Sequence, residues 1–285
     1  RRLLHVLPQE FTIDVQEGIK NPIGMSGVRM EAEAHIITCA DDMAKNLVKC
    51  IERCELQADQ IIFSALASSY AVLTDDEREL GVCVVDIGAG TMDIVIYTDG
   101  AIRYTAVVPL AGNQITSDIA KIFRTPISNA EEIKVNYACA LKDMVSMEES
   151  IEVPSVGGRP ARVMSRHTLA EVIEPRYQEL FELIHKEIKN SGFEEQIAAG
   201  LVLTGGTAKM EGAVEIAEEI FQMPVRVGSP LNMVGLSEYT DDASFATAVG
   251  LLHYGKMQAD NKKTSKQRVA DGLFKRVQSW FKGEF

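Results

Sequence analysis

The spacing of apolar and polar positions changes several times along the 285 residues, and each change predicts an element. The opening "RRLLHVLPQEFTIDVQEGIKNPIGMSGVRM" mixes a short apolar strand, a proline and a glycine-rich turn region, predicting the end of a small α/β unit. "EAHIITC" predicts a buried strand. In "DDMAKNLVKCIERC", Met43, Leu47, Val48 and Ile51 recur at helical spacing behind Asp41 or Asp42 as N-cap. "DQIIFS" predicts another strand and "ALASSYAVL" a small-residue helix. "GVCVVDIG" is almost wholly apolar, the pattern of a strand covered on both faces. "MDIVIYTDGAIRYTAVVPL" predicts a hairpin turning at Asp99-Gly100, and "AGNQITSDIAKIF" a helix starting near Gly112.

From Thr125 to about Gly192 the texture differs. Helices are expected at "SNAEEIKVNYACAL" and "HTLAEVIEPRYQELFELIHKEI", separated by a hairpin-like "SIEVPSVGGRPARVMS". Pro175 should start a new helical segment or kink a long one. An α/β rhythm then returns with strand "AAGLVLTGG", helix "MEGAVEIAEEIF", strand "PVRVG" and a small-residue helix "SFATAVGLLHYG". The polar stretch 256–271 has no periodicity and is expected to be a linker. No repeat at solenoid period is evident.

Charge adds an asymmetry. The chain carries −12, which argues against a general nucleic-acid binder. From Gly255 onward there are eight Lys/Arg against three Asp/Glu, so the end is +5 and the rest −17. A basic end on an acidic body points to an anionic surface such as lipid. No secretory signal or membrane-spanning run is visible, so the body is expected in the cytoplasm. The five cysteines have no framework spacing. Cys50 and Cys54 lie four apart without a second Cys or His pair, which favours reduced, mostly buried thiols over zinc or a disulfide.

The stretch richest in chemistry is "VVDIGAGTMDIVIY". Four apolar residues deliver Asp86 to a strand end, and Gly88 and Gly90 then clear the turn of side chains. Backbone N–H groups can thus approach an anion, and Thr91 adds a hydroxyl. Asp86 beside phosphates needs a cation, which a hydrated Mg²⁺ would supply through water. A plain β-hairpin fits the same residues taken alone.

Context favours the phosphate loop, because the chain resembles the actin/Hsp70/sugar-kinase superfamily. "DIGAGTMD" is similar to that family's second phosphate loop, and "LVLTGGTAKMEG" to its adenosine loop, with Gly205 and Gly206 passing the nucleoside after Thr204. The resemblance makes Glu131 and Lys134 of "AEEIKVNYA" candidate nucleoside contacts, and "ATAVGLL" the last helix of the fold. "RRLLHVLPQEF", "GIKNPIGMSGVRM", "LASSYAVLTDDERELGVCVVDIGAGTMDI", "VPSVGGRPAR", "TLAEVIEPRY" and "TAVGLLHYGK" resemble, more narrowly, the actin-like cell-division proteins of Gram-negative bacteria, over essentially the whole chain.

The implied fold class is α/β, an actin-like (ribonuclease H-like) fold with an incomplete first lobe, a complete second lobe and a C-terminal amphipathic helix. In that scheme 1–30 ends a small inserted subdomain and 31–80 is the remainder of the first-lobe core. Segments 81–124 and 193–244 form the second-lobe core around an outer subdomain at 125–192. Residues 245–255 form the closing helix, 256–271 the linker and 272–285 the membrane-targeting helix.

The resemblance further implies ATP and Mg²⁺ as cofactors and a head-to-tail filament of the protein with itself. It implies docking of the C-terminal tail of the tubulin-like protein FtsZ, recruitment of other division proteins, and a location on the cytoplasmic face of the inner membrane at the division site. The FtsZ tail is acidic and hydrophobic, so basic residues of the outer subdomain suit it. Arg176 with Glu179 is the first choice and Arg162 the second, while an ordinary solvated helix face is the alternative. Competing classes are a sugar kinase or Hsp70-type ATPase, which would need an acidic base or a peptide-binding β-domain, and a pilus-assembly actin homologue.

Two departures from the family bear on catalysis. Superfamily hydrolases place Gln or Glu in the helix before the second phosphate strand, where this chain has Ser64. A serine is a poor general base, so hydrolysis is expected to be slow unless another residue such as Gln60 serves. The family's first phosphate loop is also not found in these residues, so the chain as numbered is expected to bind ATP weakly or not at all.

The last segment, "DGLFKRVQSWFKGEF", has a period of its own. On a helix, Leu273, Phe274, Val277, Trp280 and Phe281 share roughly a third of the circumference, with Lys275, Arg276 and Lys282 opposite. At about fourteen residues it is too short to span a bilayer but suits an interfacial helix. Lys262, Lys263, Lys266 and Arg268 add positive charge nearby. A helix docked on the body is the alternative. Against it stands the linker, which can wander roughly 20–24 Å without docking.

Overall fold

The computed structural model describes residues 1–157, 159–233, 235 and 241–260. Its first three strands, β1 (Arg2–Ile13), β2 (Gln16–Ile19) and β3 (Met30–Cys39), form an antiparallel sheet in the order β2-β1-β3. β1 is far longer than the short strand expected, and it pairs with β3 from Arg2↔Cys39 to Ile13↔Met30. A boundary at 30/31 therefore cuts through one sheet and is corrected. Pro8 is accommodated because the register slips between Pro8 and Glu10, relieving the ladder of an N–H that proline lacks.

Helix α1 (Asp41–Glu52) begins after Ala40, which makes no side-chain cap; Asp41 and Asp42 lie in the first turn, where the helix dipole favours them. Cys50 and Cys54 are exposed, so the expectation of mostly buried thiols fails, although all five cysteines are free. "DQIIFS" forms no strand. α2 (Ser64–Val72) begins on its last residue, then comes α3 (Asp75–Leu80), which starts on a capping box between Thr74 and Glu77.

β4 (Val82–Ile87), β5 (Met92–Thr98) and β6 (Ala101–Val108) form an antiparallel meander. Asp99 and Gly100 both take positive φ at the β5–β6 turn, as a two-residue hairpin of this twist demands. After α4 (Gly112–Phe123) and α5 (Ile127–Tyr137), the two-stranded hairpin of β7 (Ser150–Val153) and β8 (Arg162–Ser165) leads into α6 (Arg166–Ser191). Helix α5 stops short of "ACAL". Pro175 lies inside the 26-residue α6 and does not open a new helix. β9 (Leu201–Thr204), α7 (Ala213–Phe221) and β10 (Val225–Val227) complete a five-stranded sheet ordered β10-β9-β4-β5-β6, with β10, β9 and β4 parallel. A helix over 246–260, α8, closes the described chain. Its last five residues correct the start of the expected linker; the remainder, 261–271, and the segment 272–285 lie outside the described residues.

The alternation of a strand divides the interior into two cores. Cys83, Val85 and Ile87 of β4, with Met92, Ile94 and Ile96 of β5, pack with residues of α4, α6 and α7. Val82 and Val84, with Val95 and Tyr97, pack against α2 and the Ala246 and Val249 positions of α8. The even residue Asp86 and the odd residue Asp93 therefore fall on the α2/α8 side. α8 crosses α2 closely: a Cβ on Gly250 would come within 1.8 Å of the Ala67 carbonyl oxygen.

Candidate functional site

β4 and β9 run parallel and end together, with Asp86 in register with Thr204, so the two glycine turns that follow them lie side by side. The first turn closes by Gly88 N–H donating to the Thr91 carbonyl at 3.0 Å. Gly88 O in turn accepts from the Gly112 N–H at 3.2 Å and from the Thr207 hydroxyl at 2.9 Å, tying the loop to the start of α4 and to the second turn. Gly205 has φ +88°, and a Cβ there would lie 2.5 Å from Asp86 Oδ1. Glycine is required at that point by both conformation and space.

Beneath the loops sit two acids. Asp86 accepts from Ser68 Oγ at 2.5 Å and from Thr247 Oγ1 at 3.0 Å. Asp93 faces it across the β4–β5 ladder and accepts from Ser64 Oγ at 2.5 Å, with a further bond from Thr91. Both are buried, and among the described residues neither forms a salt bridge. Burial pushes the Asp93 carboxyl above the usual carboxylate range and the neighbouring Asp86 adds to this, while the Ser64 and Thr91 hydroxyls pull the other way. Two buried carboxylates supplied only with neutral donors form a hard-oxygen set of the kind that would hold a hydrated Mg²⁺. Asp93 was missed from the sequence. Its signal was the symmetry of "DIGAGTMD", in which a hairpin turn places the two aspartates opposite each other.

An open cleft of ≈ 490 Å³ lies above, bringing together Gly88, Glu131, Lys134 and Gly206 of the expected set. Gly90 and Thr91 are exposed in the loop, while Asp86 and Gly205 are buried and do not line the cleft. Lys134 is buried and its ammonium reaches the Gly112 carbonyl at 3.3 Å, Thr116 Oγ1 at 2.9 Å and Glu131 Oε2 at 2.8 Å. The three protons of Lys134, a candidate nucleoside contact by resemblance, are thus engaged within the protein. Burial alone would raise the Glu131 carboxyl, but bonds from Lys134 and Thr116 outweigh it and hold the group below its ordinary range.

Arg166, also unanticipated, borders the cleft at the start of α6. Its Nε donates to the Tyr137 carbonyl at 2.7 Å, Nη1 meets Glu149 at 2.8 Å, and Nη2 donates to Glu211 of the second glycine turn. The partners lie 29, 17 and 45 residues away, so nothing local in the sequence marks it. Ser64 opens α2 with its hydroxyl directed to Asp93, whereas Gln60 lines a different hollow with Arg2, His5 and Tyr254.

The partner-binding residues divide between two places. Arg176 donates to Asp118 at 2.6 Å and to Glu179, and these residues line a hollow between α4 and α6. Arg162 donates to the Phe123 carbonyl and lines a second hollow. The membrane residues Leu273, Phe274, Lys275, Arg276, Val277, Trp280, Phe281 and Lys282 lie outside the described residues. Among the described residues no helix is long and apolar enough to cross a membrane.

The fold is similar to that of known structures. MreB5 of Spiroplasma citri bound to ADP matches with TM-score 0.64 at 18% identity, covering 79% of this chain and 68% of that one. The MamK double helical filament matches with TM-score 0.57 at 16% identity, covering 76% and 66%. The fold is actin-like. The family model described as "Cell division protein FtsA" matches residues 83–250, and "SHS2 domain inserted in FTSA" matches residues 1–38, which is nearly the extent of the first sheet. Cell division protein FtsA of Escherichia coli (strain K12) is 57% identical over 295 residues, covering 100% of this chain and 70% of that protein. The chain belongs to the FtsA family of cell-division proteins.

Proposed function

We propose that this protein is an ATP-binding, filament-forming adaptor that tethers the FtsZ division ring to the cytoplasmic membrane and helps recruit later division proteins. The observation that carries this reading is the convergence of two glycine turns over Asp86 and Asp93, buried carboxylates without a protein cation. Mg²⁺, when bound with ATP, would neutralise phosphate charge at this site. Asp86 and Asp93 are the residues that would hold the metal, and Gly88 and Gly90 would leave backbone N–H groups free for phosphate oxygens. Glu131 and Gly206 border the nucleoside. Ser64 donates its hydroxyl hydrogen bond to Asp93 and is not placed as a base, which supports slow or absent hydrolysis.

Nucleotide then serves to order the cleft and favour a head-to-tail polymer, an open heterologous assembly. A polymer presents many copies of the basic aromatic end to anionic lipid, so weak single contacts add through avidity. The test is sedimentation of the protein expressed from its complete gene with phosphatidylglycerol-containing vesicles, with and without ATP and Mg²⁺. Polymer pelleting with lipid that depends on ATP is expected. An unchanged soluble fraction in all conditions refutes the proposal.

A further inference from the structure

Thr247, in the first turn of α8, belongs to a closed triangle of oxygens around Asp86. Asp86 Oδ2 accepts from Ser68 Oγ at 2.5 Å and from Thr247 Oγ1 at 3.0 Å, and the two hydroxyl oxygens lie 2.9 Å apart. Each hydroxyl carries one proton. With Asp86 ionised, two protons serve three contacts, so when both point at the carboxylate the Ser68–Thr247 edge is left without one. Ser68 has no exposed surface, so bulk water does not relieve the shortfall at its oxygen.

Three elements meet at this triangle: β4 through Asp86, α2 through Ser68 and α8 through Thr247. Ser64 and Ser68 are one turn apart on α2 and donate to Asp93 and Asp86 respectively, so one face of that helix serves both acids. α8 stays against α2 beyond the triangle. Gly250 approaches Ala67 too closely for a Cβ, His253 Nδ1 lies 3.3 Å from the Tyr70 carbonyl oxygen, and the Tyr70 and Tyr254 ring centroids are 5.9 Å apart. Packed elements of this kind shift between discrete arrangements rather than deforming smoothly.

We propose that Thr247 is a positioning residue whose hydroxyl has two arrangements, tying α8 to the state of the acid pair. In one, Thr247 donates to Asp86 and holds α8 to β4. In the other, the Thr247 hydroxyl turns about its C–O bond, donates to Ser68 and holds α8 to α2. Ser68 donates to Asp86 in both, and no proton is transferred. This rests on the reading that Asp86 and Asp93 would hold Mg²⁺ with ATP. Asp86, once sharing its charge with a cation, would be a weaker acceptor for the two hydroxyls, which favours the second arrangement. α8 is the helix that precedes the basic aromatic end in the sequence, so occupancy of the cleft is relayed to the element before that end.

The experiment is hydrogen–deuterium exchange of the protein expressed from its complete gene, with and without Mg²⁺ and a slowly hydrolysed ATP analogue. Each variant is measured at a nucleotide concentration that its own calorimetric titration shows to be saturating. In the parent, exchange over 246–260 should change at least about threefold when nucleotide is added. T247V removes the hydroxyl at nearly the same shape, and S68A removes the alternative acceptor. Either should hold the 246–260 response below about 1.5-fold while the second glycine turn, 204–212, still responds. T247S should restore the parent response, which a merely structural role for the side chain does not require. Thermal melts confirm folding, and one folded variant of the two suffices. A 246–260 response that persists in either folded variant, or that T247S fails to restore, overturns the proposal. So does a folded variant that cannot be saturated, because its hydroxyl then only builds the site. A parent that binds nucleotide with 246–260 unchanged overturns the relay and leaves the reading of the cleft standing. Absence of Mg²⁺-dependent nucleotide binding by the parent overturns both.

Discussion

Ser64 Oγ donates to Asp93 Oδ2 at 2.5 Å, joining the first residue of α2 to β5 beneath the glycine turns. The bond explains how a buried acid persists beside a second acid, Asp86, without a cation from the protein. A charge-assisted bond from a neutral hydroxyl offsets part of the desolvation cost, and the raised carboxyl shows that it does not offset all of it.

The raised Asp93 carboxyl fixes the sign of a pH effect. A carboxyl held higher in the folded than in the unfolded state binds more protons when folded, so stability falls as pH rises from the unfolded value through the folded one. Asp93→Asn removes that penalty. The variant should melt above the parent at neutral pH, and the gap should close as pH falls toward about 4, where the parent acid is protonated. Circular dichroism melts across this range provide the check. The same variant should lose Mg²⁺-dependent nucleotide binding, which separates the cost of the acid from its use.

The two glycine turns make opposite demands. Gly205→Ala places a Cβ 2.5 Å from Asp86 Oδ1 and 2.6 Å from the Ile87 carbonyl oxygen, at a φ of +88°. It should cost about 3 kcal/mol or more in denaturant unfolding. A Cβ on Gly90 meets nothing within 4 Å, so Gly90→Ala should alter stability by less than about 1 kcal/mol. If backbone N–H groups there approach phosphate, that folded variant should still weaken ATP binding. Unfolding curves and calorimetric titration of both variants distinguish a structural glycine from a ligand-facing one.

What was legible in the sequence follows the range of the forces involved. β4 announced itself by a run of apolar residues interrupted only by Asp86, all six positions buried, and the Asp99-Gly100 turn by residues that accept positive φ. "DQIIFS" has a strand's composition but no ladder partner among the described residues; Phe63 is extended, at φ −64° and ψ 131°, and its N–H donates to the His5 ring and not to a strand. Strand identity depends on a neighbour, and composition supplies only half of it. Likewise β1 could not be seen at full length, because its polar and apolar residues do not alternate cleanly and its register is set by β3. Gly88, Gly206 and Glu131 were found in the cleft because loop motifs are local. Arg166 was not, because its partners come from three distant segments.

Arg166 should therefore act as a clasp. Its planar fork joins the end of α5, the start of β7 and the second glycine turn, a geometry that lysine cannot reproduce. Glu149 and Glu211 are half exposed, so solvent screens much of the ion-pair energy. Arg166→Ala should cost only about 1–2 kcal/mol globally. The larger effect should be local: faster amide hydrogen exchange at 138–141 and around Glu211, and nucleotide affinity lowered about tenfold. Arg166→Lys should recover stability but only part of the exchange protection. Equal loss of protection throughout the protein would count against a local clasp.

The sequence period at the chain's end gives the remaining prediction. On a helix, the spacing of Trp280 and Phe281 would put them on one stripe with Leu273, Phe274 and Val277, and Lys275, Arg276 and Lys282 opposite; this segment lies outside the described residues. Placing a carboxylate in the stripe both removes the largest apolar group and repels an anionic surface, two losses in one substitution. Trp280→Glu should abolish sedimentation with phosphatidylglycerol vesicles while leaving the thermal melt of the body unchanged. Lys275→Glu should reduce binding on anionic vesicles by a smaller factor, with a difference that shrinks at high salt, because it removes about 1 kcal/mol of surface attraction and no apolar contact. Vesicle binding by Trp280→Glu equal to the parent would remove the aromatic stripe as the lipid anchor. A lowered melting temperature in that variant would instead place Trp280 against the body.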